Sequence, residues 1–85
     1  MLTRVRPNPT SDSIVISLSL PDPSPARIEI VDVTGRRILV RQLGAVAGGS
    51  HVVTLRETRA LPAGVYQVRL VQNGQSVAAP LVVAR

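Results

Sequence analysis

Leu61-Pro-Ala-Gly-Val-Tyr66-Gln-Val-Arg-Leu-Val-Gln-Asn73-Gly74-Gln-Ser-Val-Ala-Ala-Pro-Leu-Val-Val-Ala-Arg85 is the stretch whose reading decides the fold. Asn73-Gly74 lies between two apolar-rich runs. A type I′ turn needs positive φ at both central residues, which Asn tolerates and Gly takes without steric cost. A two-residue loop there sets the register. Gln72 faces Gln75, and counting outward pairs Leu70 with Val77, Val68 with Ala79, Tyr66 with Leu81 and Gly64 with Val83. The intervening set (Val71 with Ser76, Arg69 with Ala78, Gln67 with Pro80) is mixed and is expected to face water. Turn chemistry and alternation agree, as they do in a real β-hairpin.

Leu61-x-x-Gly64-x-Tyr66, at the start of this hairpin, resembles the corner of Ig-like sandwiches, in which a Tyr opening a late strand sends its hydroxyl back to the backbone a few residues upstream. Tyr66 is the one aromatic residue in a chain of 85 without Phe or Trp. It reads as a structural anchor rather than a ligand platform. The core must therefore be built from Val, Ile, Leu and Ala, which favour strands.

Working back along the chain, Val5-Arg6-Pro7-Asn8-Pro9 begins extended, and its two prolines confine it to an edge strand or a lead-in. Thr10-Ser11-Asp12-Ser13 is a turn, after which Ile14, Ile16, Leu18 and Leu20 line the buried face of a strand. Pro21-Asp22-Pro23-Ser24-Pro25 forms a stiff loop. Ala26, Ile28 and Ile30 mark the next strand. It ends in Asp32-Val33-Thr34-Gly35, a turn with Gly35 left-handed and Asp32 bonded to its own turn backbone, which would set Ile30 opposite Ile38 and Ile28 opposite Val40. The other face then holds Glu29 with Arg37 and Arg41 as exposed ion pairs of small worth. A flexible connection over Gly44 to Gly49 precedes a strand His51 to Leu55, and Arg56 to Ala60 reads as a polar crossing. The pattern predicts an all-β, Ig-like antiparallel β-sandwich of about seven strands, in one domain over residues 1–85.

Composition removes several functions. Without Cys there is neither a disulfide framework nor a thiolate metal site. His51 is the sole candidate general base and sits in a strand pattern that explains it as a sheet residue, with no partner for a hydrolase triad. The five acids (Asp12, Asp22, Glu29, Asp32, Glu57) are not spaced as a calcium loop, and the glycines at 44, 48 and 49 are not followed by Lys-Ser/Thr as a phosphate loop requires. No catalytic, cofactor or metal residue is expected. The net charge of +5 comes wholly from arginines, which are dispersed and lack interleaved aromatics, so nucleic acid is not the expected partner. Weak polyanion binding through those arginines would be betrayed by steep salt dependence. No apolar run nears the roughly 18 residues that span a bilayer, and Met1 to Arg6 is unlike a signal peptide. The chain reads as a module excised from a larger secreted protein, with Met1 an added start.

The order of motifs carries more than any one of them: Pro7-Asn8-Pro9; the alternating strand to Leu20-Pro21; Ile28 through Asp32-Val-Thr-Gly35-Arg-Arg; Gly49-Ser-His51 and Leu55; Leu61 through Gly64-Val65-Tyr66 and Leu70; and Leu81-Val82-Val83-Ala-Arg85. In this order they resemble the C-terminal sorting domain of cargo exported by the type IX secretion system. The resemblance implies a non-catalytic Ig-like sandwich carried behind an N-terminal cargo domain. That cargo reaches the periplasm by a separate signal. An outer-membrane translocon then recognises the sorting domain, and a sortase-like protease removes it as cargo reaches the cell surface or medium. By motif match, Gly64, Val65 and Tyr66 fall on one shared segment, and Leu81, Val82, Val83 and Arg85 on the terminal one. Ala79-Pro80 stands where the family usually has Lys. The Ig-like domain of the flagellar hook-capping protein is similar in its Asn-Pro opening and Asp-x-x-Gly-Arg turn, but generally carries a Trp and an Asp-Gly-rich insertion that Thr54 to Glu57 do not supply. A structural or adhesive surface module is the alternative function. The final strand, with Pro80 interrupting its donors, is expected to form an open edge available for β-strand addition.

Overall fold

The computed structural model describes residues 1–44 and 47–85. Seven strands form: β1 (Leu2–Arg6), β2 (Ile14–Leu20), β3 (Ala26–Asp32), β4 (Arg37–Gly44), β5 (Gly49–Leu55), β6 (Gly64–Gln72) and β7 (Gln75–Val83). A single 3₁₀ turn, Glu57–Ala60, lies between β5 and β6. Two antiparallel sheets result, ordered β1-β2-β5 and β4-β3-β6-β7, and the chain changes sheet after β2, β4 and β5. This is the predicted Ig-like sandwich.

Its core is almost wholly aliphatic. β2 buries Ile14, Ile16, Leu18 and Leu20 at every second position, facing Ile28 and Ile30 of β3, Val68 and Leu70 of β6, and Leu81 and Val83 of β7. Tyr66 closes one end of this cluster. Branched residues on alternating positions both fit the pleat and fill the space between sheets, so the same pattern specifies strand and core.

The hairpin forms in the predicted register, from Gln72 opposite Gln75 out to Gly64 opposite Val83. Asn73 and Gly74 have φ of 55° and 73°, as a type I′ turn requires. The buried amide of Gln72 donates to the carbonyls of Asp22 and Ser24 at 3.1 and 2.7 Å, tying the turn to the proline-rich loop.

The β3–β4 hairpin departs from expectation. Its turn forms as read, with Gly35 at φ 85° and the Asp32 carboxylate accepting from the N–H groups of Thr34 and Arg36 at 2.9 and 3.0 Å. Beyond it, Val31 still faces Arg37, but Ile30 faces Leu39 and Ile28 faces Arg41. Ile38 is an extra residue, a β-bulge, and the predicted pairs of Ile30 with Ile38 and Ile28 with Val40 do not form. The bulge lets both Ile38 and Leu39 pack against the core, which strict alternation would forbid. It also turns Arg41 away from Glu29, toward Glu57 at 2.9 Å.

Glu29 is therefore not an exposed ion-pair residue. It is 3 % exposed, and its carboxylate accepts from Arg27 Nε at 2.8 Å and Arg37 Nη1 at 3.1 Å, with Arg69 Nη1 at 3.7 Å. The Arg27 guanidinium, against the opposing effect of burial, holds this carboxyl below its ordinary range. Of the predicted connection from 44 to 49, residues 45 and 46 lie outside the described residues, while Gly44 ends β4 and Gly49 begins β5. The expected polar crossing holds a fully buried residue, Thr58, whose hydroxyl donates to the carbonyl of Asp12 at 2.8 Å.

Candidate functional site

Of the motif residues, Pro7 to Pro9, Asp32 to Gly35, Gly64 to Tyr66 and Leu81 to Arg85 gather at one end of the sandwich, whereas Leu20-Pro21, Gly49 and Leu70 lie toward the other. Asp32 of β3, Tyr66 of β6 and Leu81 of β7 lie side by side in adjoining strands, and Gly64 faces Val83 one step nearer the end. The Asp32-to-Gly35 turn borders the same end. Tyr66 is 7 % exposed, and its hydroxyl donates to the Pro62 carbonyl at 2.6 Å, the corner expected from the sequence. Gly64 lies beneath the Tyr66 ring, within 3.7 Å of where a side chain would begin.

The segment after β1 binds the end of β7. Asn8 behaves as a surrogate peptide unit: its Nδ2 donates to the Pro80 carbonyl and its Oδ1 accepts from the Val82 N–H, each at 2.9 Å. Thr10 continues the pairing in parallel, its N–H donating to the Val82 carbonyl at 2.9 Å and its carbonyl accepting from the Ala84 N–H at 2.8 Å. Pro80 falls where an N–H would point outward from β6, so it costs the hairpin ladder nothing. Pro7 and Pro9 flank Asn8, both exposed and both following cis peptide bonds.

Arg85 fastens the last residues to the 3₁₀ turn. Its Nη2 donates to the carbonyls of Arg59 and Leu61 at 2.7 Å and of Thr58 at 3.0 Å, and its Nη1 reaches that of Ser11. The Thr58 carbonyl also accepts from the Leu61 N–H at 3.1 Å, while carbonyls past the end of a short helical turn are left without partners in it, and a planar guanidinium can serve several at once. Asp12 pairs with Arg59 beside it at 2.9 Å, and that hydrogen bond lowers the Asp12 carboxyl and raises Arg59.

This corrects the expectation of an open terminal edge. β7 is an edge strand, yet its outward groups from Pro80 to Ala84 are already bound by Asn8 and Thr10. Further back along β7, the outward groups at Ser76 and Ala78 face no further strand. Neither the Asn8 bracket nor the Arg85 clasp was visible in the sequence, because each joins segments far apart in the chain through a side chain and a carbonyl. The adjacency of Asn8 to two prolines was the one available signal.

The geometry offers little to chemistry. Two surface depressions of about 90 and 170 Å³ lie at the opposite end, around Leu70 to Val77, smaller than the roughly 300 Å³ of ordinary ligand pockets. His51 stands in β5 opposite Leu18, and its Nε2 meets the Ala47 carbonyl. Among the described residues no group of three His, Asp or Glu side chains could hold a metal, and no helix is long and apolar enough to cross a membrane.

A family model described as the secretion system C-terminal sorting domain matches residues 4–84. The chain belongs to that family. No curated protein matches it significantly. The sorting domain is thus a signal for type IX secretion, in a family that is generally non-catalytic, and it acts through the secretion machinery to bring about export from the cell.

Proposed function

We propose that residues 1–85 form one recognition module, carried behind an N-terminal cargo domain and read in the periplasm by an outer-membrane translocon. A sortase-like protease then separates cargo from module, leaving the cargo at the cell surface or in the medium. The observation that carries this reading is the meeting of four motif segments, Pro7 to Pro9, Asp32 to Gly35, Gly64 to Tyr66 and Leu81 to Arg85, at one end of the sandwich, within a family match spanning residues 4–84. Most of those residues support the fold rather than present themselves. Tyr66, Leu81 and Val83 are core, Asp32 holds its turn, Asn8 brackets β7 and Arg85 clasps carbonyls. In this reading the machinery recognises a folded surface, and the motifs are what that surface needs to exist.

Truncating Leu81 to Arg85 would be an ambiguous test, since it removes two residues that are 0 % and 2 % exposed and would unfold the domain. The better test fuses the intact chain behind a periplasmic reporter in a type IX-secreting host, with a reporter lacking the chain alongside. The fused reporter is expected outside the cell with the module cleaved from it, as mass spectrometry of its carboxyl end would record. Retention in the periplasm would refute the address. Export with the module still attached would favour the structural or adhesive role and refute the proteolytic step.

A further inference from the structure

Val65 and Val82, both residues of the sorting motifs, lie outside the core cluster. They are 55 % and 37 % exposed, and they face each other across β6 and β7 on the outer side of the four-stranded sheet. Single exposed valines are ordinary. Here the pair is continued along β7 by exposed Pro80 and Ala78, so the outer row of this strand is uncharged throughout. Alongside, on the same face, Arg27, Arg37 and Arg69 converge on the one carboxylate of Glu29. Three positive charges meet one negative, and the arginine side chains stay 38 to 56 % exposed.

We infer that this outer face of β6 and β7 is the docking surface for the secretion machinery, the Val65–Val82 pair entering an apolar site on the partner and the arginines meeting carboxylates at its border. The inference rests on the sorting role proposed above. Charge complementarity commits the partner's chemistry: an apolar strip bordered by acidic residues, because an excess of guanidinium beside an apolar patch is stabilised by carboxylates and opposed by basic groups. Apolar centre and charged rim also match the usual anatomy of a protein interface. The outer row of the opposite sheet offers a control, since Val52 of β5 is 67 % exposed on a strand of the same kind.

The test measures export of the fused reporter for Val65→Glu, Val82→Glu, Val52→Glu and Arg37→Gln, with melting of each purified domain alongside. The three valine variants are at exposed positions, and their melting temperatures are expected within about 4 °C of the parent, whereas Arg37→Gln removes a donor to buried Glu29 and its export is compared at a temperature at which its own melting curve shows it folded. Val65→Glu and Val82→Glu should each cut export by about tenfold or more, the loss expected when a charge is forced into the centre of an interface. Val52→Glu should leave it within about twofold. Arg37→Gln should cut it about two- to fivefold, as a rim charge does. Normal export of both valine variants, with the parent exported, would overturn the surface while leaving the sorting role intact. An equal loss for Val52→Glu would overturn it as well, by tracing the effect to added charge anywhere. Unchanged export of Arg37→Gln would remove the acidic border from the partner. Failure of the parent chain to be exported would refute the sorting role itself.

Discussion

Replacing Asn8 with Ala isolates the bracket that holds the end of β7. The substitution removes two hydrogen bonds of 2.9 Å, one to the Pro80 carbonyl and one from the Val82 N–H, and touches none of the core. Each such bond contributes about 0.5–1.5 kcal/mol net, and the exposed location allows water to replace part of it, so a loss of about 1–2 kcal/mol is expected. In a domain of this size that corresponds to a fall in melting temperature of about 5–12 °C. Thermal denaturation measures the total, and native-state hydrogen exchange localises it. The Val82 amide, left pointing outward from an edge strand, should lose protection by about tenfold or more, while the amide of Val68 in the central strand β6 changes only as global stability does. Unaltered exchange at Val82, or a melting temperature within about 1 °C of the parent, would refute the claim that Asn8 stands in for a strand.

Three further outcomes follow from the described geometry. Tyr66→Phe deletes the 2.6 Å bond to the Pro62 carbonyl while preserving the ring, and should cost about 0.5–1.5 kcal/mol in urea unfolding, with export reduced only as far as stability falls. Gly74→Ala meets no atom within 4 Å but places a side chain at φ 73°, and should cost about 1 kcal/mol by the same measure. Lowering pH should destabilise the domain. All five acids have folded values below their ordinary 3.8 or 4.5, held there foremost by Arg59 for Asp12, Ser24 for Asp22, Arg27 for Glu29, Thr34 for Asp32 and its own N–H for Glu57. Their contribution is present above the ordinary values and is lost as pH falls through the folded ones, so the urea midpoint should drop below about pH 5. A midpoint flat down to pH 2 would contradict this.

Local chemistry made much of the sandwich legible. Asn73-Gly74 permits one turn, that turn permits one register, and the register placed Tyr66 beside Leu81 as found. The alternation in β2 and the left-handed Gly35 were equally local. What escaped was set by competition between elements. The bulge at Ile38 arises because two adjacent apolar residues can both reach the core only if the ladder slips, and nothing in the Asp32-to-Gly35 turn announces it. Thr58 reads as polar until its hydroxyl finds the Asp12 carbonyl, 46 residues earlier in the chain. Glu29 reads as a surface charge until three arginines from separate strands close over it. Motif order pointed to the candidate site, whereas the division of labour within it, scaffold against presented surface, needed burial and partners that no linear pattern encodes.

The parallel alignment of Thr10 with Val83 has a mechanical consequence. Tension applied between the chain before Asn8 and the chain after Ala84 would pull these two segments along their length in opposite directions. The four hydrogen bonds between them would then be loaded together in shear, rather than opened singly as in a peeled hairpin. A fold hauled by its two ends would resist at this junction and yield abruptly, whereas the same fold pulled sideways at the Asn73-Gly74 tip would unzip.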